Sequence, residues 1–172
     1  MSSIILIGFM GAGKTTVGKE LARKGFELID TDAYIENCEK MSISEIFAQK
    51  GEAYFREVET RTLETLLTQK KQFVISCGGG MPLREENRSL LKELGMVVYL
   101  RVRPETVLAR LKGDTTRPLL QGDDSGERVR TLIAQREAHY VSSADCVLDV
   151  DLKTPDELAS QILLQLADYN LN

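Results

Sequence analysis

The chain has 172 residues, 42% of them apolar and 28% charged, which is the size of one globular domain and the composition of a folded protein rather than a disordered one. Its net charge is −4, from 22 Lys and Arg against 26 Asp and Glu. That excludes a broad electrostatic footprint for nucleic acid or anionic lipid, so any anionic ligand must be held by local groups of Arg and Lys. Three scattered cysteines (Cys38, Cys77, Cys146) and one histidine (His139) provide no paired metal ligands, and free thiols suit a reducing compartment. No apolar run reaches the ~20 residues of a membrane span, and Ile4 to Ile7 is too short for a signal peptide. The expectation is a single cytoplasmic domain over residues 1–172, a monomer with no nucleic acid or membrane partner.

In chain order, Ile4-Ile5-Leu6-Ile7 reads as a buried strand. Lys14 to Lys24 reads as a helix with Val17, Leu21 and Ala22 on one side and Gly25 as its stop. Phe26 to Ile29 is a second strand. Ser42-Ile43-Ser44-Glu45 has capping-box spacing and opens a helix that ends at Gly51. A longer helix runs from Glu52 to Gln69. Phe73 to Ile75 and Val97 to Leu100 are the third and fourth strands. Pro104 starts a helix bearing Val107, Leu108 and Leu111. Cys146 to Leu148 is a fifth strand. Thr154 then caps a last helix through Leu166, with Pro155 in its first turn. Strands alternating with helices predict an α/β fold with a parallel sheet covered on both faces. Ligands bind such sheets at the carboxyl ends of the strands.

The unusual residues fall at those ends. Gly8-Phe9-Met10-Gly11-Ala12-Gly13-Lys14-Thr15 fits G-x-x-x-x-G-K-[ST] between a strand and a helix. Glycines let backbone N–H groups face phosphate oxygens, and the helix N-terminus adds positive charge. Lys14 supplies a cation for the β- and γ-phosphates, and the Thr15 hydroxyl suits Mg²⁺. Asp30-Thr31-Asp32 closes the second strand. Asp30 can reach a metal held by Thr15, and Asp32 can orient an acceptor hydroxyl. Read more plainly, Thr31 and Asp32 cap a helix entering at Ala33. Gly78-Gly79-Gly80 carries a large entropic cost, explained by close approach of backbone to a ligand or by a flexible turn. Residues 112–127 are polar and rich in Gly and Asp, as in a lid that excludes water, with Arg117 placed for charge on a transferring phosphoryl group. Arg56 and Arg136 read on their own as helix-surface charges, Arg56 four residues from Glu52. His139 reads as a packing or helix-surface residue, and Cys77 and Cys146 as small core residues.

Taken together, the pattern resembles shikimate kinase. The motifs occur in order over nearly the whole chain: the phosphate loop, Asp30-Thr31-Asp32, Phe55-Arg56-x-x-Glu59, the triple glycine, Thr116-Arg117-Pro118-Leu119-Leu120, and Arg136-x-x-x-Tyr140. The resemblance implies ATP-dependent phosphorylation of shikimate at its 3-hydroxyl, in the chorismate route to aromatic amino acids. It also implies a five-stranded parallel sheet of nucleoside-monophosphate-kinase build, with a mobile lid and a substrate-binding helical region at about residues 32–60. Carried over by position, Gly11, Ala12, Gly13, Lys14, Thr15, Thr16 and Arg117 would contact ATP, with Arg110 and Pro155 around adenine. Asp32, Arg56, Gly78, Gly79, Gly80 and Arg136 would bind shikimate, the two arginines at its carboxylate. Thr15 and Asp30 would place Mg²⁺. Lys14, Asp32 and Arg117 would form the catalytic set. The paired arginines also suit another small-molecule kinase of the gluconate or nucleoside monophosphate type. A nucleotide-dependent switch is the alternative from another class, but it needs no second anion pocket.

Overall fold

Ile4, Ile5, Leu6 and Ile7 have no solvent-exposed surface, because the strand they form lies in the middle of a sheet covered on both faces. The computed structural model describes residues 2–113 and 124–171. Its strands are β1 (Ser3–Ile7), β2 (Glu27–Asp30), β3 (Phe73–Ser76), β4 (Gly95–Arg101) and β5 (Cys146–Asp149). All pair in parallel, in the order β2-β3-β1-β4-β5. Registers such as Leu6 against Ser76 and Leu6 against Val98 bring the carboxyl ends of β1, β3 and β4 level. The strand-to-helix turns carrying the motifs therefore meet on one edge.

The helices are α1 (Lys14–Arg23), α2 (Thr31–Glu39), α3 (Ile43–Thr68), α4 (Glu85–Leu94), α5 (Pro104–Arg110), α6 (Ser125–Ser143) and α7 (Pro155–Tyr169), with a 3-10 turn at Met81–Leu83. Capping accounts for several boundaries. Ser42 and Glu45 form the expected capping box at α3. Thr154 and Glu157 form another at α7, with Pro155 at N1. Gly51 breaks α3 into the two helical stretches expected there, with φ 86° and ψ 168° inside an otherwise continuous helix. None of the described helices is long and apolar enough to cross a membrane.

Three features differ from expectation. The N-cap of α2 is Asp30, not Thr31 or Asp32, since its carboxylate accepts from the backbone N–H groups of Asp32 and Ala33. A further helix, α4, fills the stretch before β4. Residues 125–127, expected in the lid, are the first turn of α6 instead. The rest of the expected lid, including Arg117 and all but its edges, lies outside the described residues.

The main core joins the sheet to α1, α3, α4, α6 and α7. A smaller one, formed by Ile35, Ile46, Phe55 and Val58, holds α2 against α3. The helical arm that bears Asp32 and Arg56 thus has packing of its own. Fully burying an aliphatic side chain of this kind stabilises by about 1.5–3 kcal/mol.

Candidate active site

Three turns build the site. The first follows β1. Gly8 has φ +148°, and a Cβ there would sit 2.6 Å from the backbone oxygen of Leu100 on β4, so only glycine lets the chain leave the sheet this close to its neighbour. The turn ends at Gly13, the N-cap of α1, which has no side chain to cap with. The first N–H groups of α1 therefore face outward with the positive end of the helix dipole. Lys14 folds over the turn, its ammonium 2.7 Å from Gly8 O and 3.1 Å from Phe9 O.

The second turn leaves β2. Asp30 uses both carboxylate oxygens: one caps α2, and the other accepts from the Thr15 hydroxyl at 2.7 Å. The Ser76 hydroxyl, at the end of β3, lies 3.1 Å from the same Thr15 oxygen. Asp32 is exposed on the first turn of α2.

The third turn is the triple glycine. Gly78 and Gly80 have no unusual φ; what a side chain there would meet is the charged ends of neighbouring residues. A Cβ on Gly78 would lie 2.9 Å from Asp32 Oδ1 and 3.1 Å from Glu59 Oε1, and one on Gly80 would lie 2.6 Å from the Arg56 guanidinium. The backbone is pinned from several directions. Gly78 N–H donates to the buried Thr31 hydroxyl at 3.0 Å, and Tyr140 O–H donates to Gly79 O at 2.6 Å. Asn87 and Arg88 of α4 donate to the carbonyls of Met81, Pro82 and Leu83 just beyond. The turn is held by hydrogen bonds from three other elements.

A cleft of about 270 Å³ lies between these turns, lined by Lys14, Thr15, Asp30, Asp32 and Ser76 with Gly78 and Gly79. Around the same glycines stand Arg56 and Arg136. Arg56 pairs with Glu59 at 2.8 Å and, less closely, with Glu52 at 3.4 Å. The Arg136 guanidinium has no carboxylate partner among the described residues and lies 5.7 Å from the Phe9 ring. A second cleft of about 350 Å³, on the outer side of the Gly8–Thr15 turn, brings Arg110 and Pro155 together with Gly11, Ala12, Gly13 and Thr16. Arg110 also donates to Gly11 O at 2.8 Å. Every predicted site residue in the described part of the chain therefore lies in or beside one of two adjoining clefts. Arg117 lies outside the described residues.

Glu59, Ser76 and Tyr140 were given no role in the sequence reading, although Glu59 and Tyr140 stand in its motifs. Glu59 is only 1% exposed, and its Oε1 has no hydrogen-bond partner among the described residues. Burial raises its carboxyl to about pH 7 against the opposing pull of Arg56. Its place three residues after Arg56 on a helix was the available signal. Tyr140 stood in the Arg136-x-x-x-Tyr140 motif without a role and Ser76 in no motif, and the partners of both are 61 residues away. Cys77 is buried, and burial pushes its thiol up, so it is a core residue and no nucleophile.

A phosphate loop, a carboxylate-rich turn and an arginine-lined glycine turn suit transfer of a phosphoryl group to a small anionic acceptor. Comparison with known proteins agrees. The shikimate kinase family model matches residues 10–167. The shikimate kinase of Thermodesulfovibrio yellowstonii is 44% identical over 164 residues, covering 95% of this chain and 94% of that protein. The shikimate kinase of Trichormus variabilis is 45% identical over 163 residues, covering 94% and 88%. A solved structure of Acinetobacter baumannii shikimate kinase in complex with shikimate superposes with TM-score 0.91 at 37% identity, covering 100% of this chain and 96% of that one. Deoxyadenosine kinase from M. mycoides, at 22% identity and TM-score 0.58, shares the fold. The chain belongs to the shikimate kinase family.

Proposed function

We propose that this chain transfers the γ-phosphoryl group of ATP to the 3-hydroxyl of shikimate by holding the two substrates in the adjoining clefts. The observation that carries the reading is the convergence of two arginines and Asp32 on one glycine turn beside the phosphate loop. Guanidinium forks match a planar carboxylate, so Arg56 and Arg136 bind that end of shikimate and turn the ring's hydroxyls toward Asp32. Gly78, Gly79 and Gly80 let the ring approach the backbone.

On the nucleotide side, the N–H groups of Gly11 to Thr16 and the Lys14 ammonium bind the phosphates. Lys14 exchanges its contacts to Gly8 O and Phe9 O for phosphate oxygens. Arg110 and Pro155 flank the base in the outer cleft. Arg117 is assigned to the transferring phosphoryl group from its motif alone. The Thr15 hydroxyl and Asp30 carboxylate form a hard, all-oxygen donor pair, and no cluster of three His, Cys, Asp or Glu exists among the described residues. That fits Mg²⁺, which takes one or two protein ligands and completes its shell with water and phosphate. When bound, the ion supplies charge neutralisation at the phosphate oxygens. Asp32 accepts a hydrogen bond from the acceptor hydroxyl and orients its lone pair toward phosphorus. In a loose transition state its basicity is secondary.

The test is ADP release with ATP and Mg²⁺, comparing shikimate, quinate, gluconate and AMP as acceptors. Turnover is expected with shikimate. Arg136→Ala should raise KM for shikimate by roughly a hundredfold, as loss of a charge-assisted fork implies. Asp32→Asn should collapse kcat. Absence of shikimate-dependent turnover sinks the reading, and near-normal kcat in Asp32→Asn removes Asp32 from the mechanism.

A further inference from the structure

Tyr140 is fully buried on α6, one helical turn after Arg136. Its ring is fixed by Tyr99 of β4, with centroids 5.0 Å apart and planes at 32°. The Tyr99 hydroxyl donates to Glu137 at 2.5 Å, so the contact with Tyr140 is made by the Tyr99 ring alone. With the ring fixed, the Tyr140 hydroxyl has one place to go. It donates to Gly79 O at 2.6 Å, which ties α6 to the middle of the triple glycine across 61 residues. The same position next to Gly79 lies within 3.5 Å of Arg136 Nη1 and 3.7 Å of the Tyr140 oxygen, measured from the Cβ that glycine lacks. The guanidinium and the phenol oxygen thus lie side by side against Gly79, and the cation pulls the phenol's pKa down.

We propose that Tyr140 is a positioning residue for the carboxylate end of the acceptor pocket, its hydroxyl fixing Gly79 and the Arg136 guanidinium relative to each other. The chemistry requires a phenol. The O–H donates to the Gly79 carbonyl, and a phenol oxygen keeps lone pairs free to accept from the neighbouring Arg136 cation, so one group can fasten a backbone and a side chain at once. Without it, Arg136 has neither a carboxylate partner among the described residues nor a fixed rotamer, and binding must then pay the ordering entropy of a long side chain. Burial raises the phenol's pKa while Arg136 pulls it down, and on balance it stays raised, so the hydroxyl remains a donor at neutral pH. The inference rests on the acceptor-pocket assignment above and deepens it. Tyr140 touches no reacting atom and acts through Arg136.

The test is Tyr140→Phe, which keeps the ring and removes only the hydroxyl, with both substrates varied in steady-state kinetics. KM for shikimate should rise roughly tenfold, the loss expected for a hydrogen bond to a charged group. KM for ATP should stay within twofold, and the melting temperature should be close to wild type. Tyr99→Phe is the control: it removes a hydroxyl from the same ring pair, at Glu137 rather than Gly79, and should leave KM for shikimate within twofold. On an Arg136→Lys background, Tyr140→Phe should add little, because both changes disable one unit. An unchanged KM in Tyr140→Phe overturns the assignment, as does a rise for both substrates, an equal effect of Tyr99→Phe, or full additivity with Arg136→Lys. These results are distinct from failure of the pocket reading, which would appear first as wild-type protein with no turnover dependent on shikimate and Arg136.

Discussion

Glu59 sits where a carboxylate is costly. One oxygen pairs with Arg56 at 2.8 Å, the other has no hydrogen-bond partner among the described residues, and the residue is 1% exposed. Burial raises its pKa to about 7. Asp32 pushes in the same direction, and Arg56 and Arg84 oppose. A carboxyl whose pKa is higher folded than unfolded favours the folded state most below its unfolded value near 4.5. That contribution is lost as pH rises through about 7. Stability should therefore decline between about pH 4.5 and 7, by on the order of 3 kcal/mol. Glu59→Gln cannot titrate and should flatten that slope in urea unfolding measured across the range, whatever it does to absolute stability. A slope equal to wild type would place the titration elsewhere. In the sequence Arg56 reads as paired with Glu52, four residues back, because i,i+4 spacing is visible without a fold. The closer partner is Glu59, and its burial comes from tertiary packing that no local pattern records.

The glycine turn shows how an element combines cheap folding with demanding function. Gly80 has φ −92°, which any residue tolerates. Alanine there adds no backbone strain and restricts the unfolded chain, which offsets part of the crowding cost. Its Cβ would meet the far end of the Arg56 side chain, 2.6 Å from one guanidinium nitrogen, and displace it from the pocket. Gly80→Ala should thus change stability by less than about 1 kcal/mol yet raise KM for shikimate by roughly tenfold or more. A parallel loss of both in chemical denaturation and kinetics would mean that the turn, rather than the arginine, had been broken. Legibility at this scale follows the density of signal. β1 was readable because four consecutive apolar residues cannot sit at a surface edge. The α3 and α7 starts were readable because capping boxes are local. Helix α2 buries only Thr31 and Ile35, too thin an apolar stripe to show a period. Its cap, Asp30, serves Thr15 as well, so one residue carried two signals. Helix α4 has no side-chain N-cap and buries only Asn87 and Leu91.

Across the whole molecule, the five parallel strands bring residues from positions 14 to 155 to one edge of the sheet. The motifs and their place at the strand ends were legible, whereas the strand order that sets which motifs are neighbours was not. The net charge of −4 gives no general attraction for two anionic substrates, so binding must come from local cations on separate elements: Lys14 on α1, Arg56 on α3 and Arg136 on α6. On the proposed assignment those elements serve two separate substrates, and ligand-linked stability should resolve them. Each ligand at about a hundred times its Kd should stabilise by about 2.7 kcal/mol, or roughly 5–10 °C for a domain of this length. Arg136→Ala should abolish the shift given by shikimate and preserve the shift given by ATP with Mg²⁺. Lys14→Ala should do the reverse. Loss of both shifts in either variant, measured by differential scanning calorimetry, would mean that the two clefts form one cooperative site, with the acceptor pocket completed only when the nucleotide is in place.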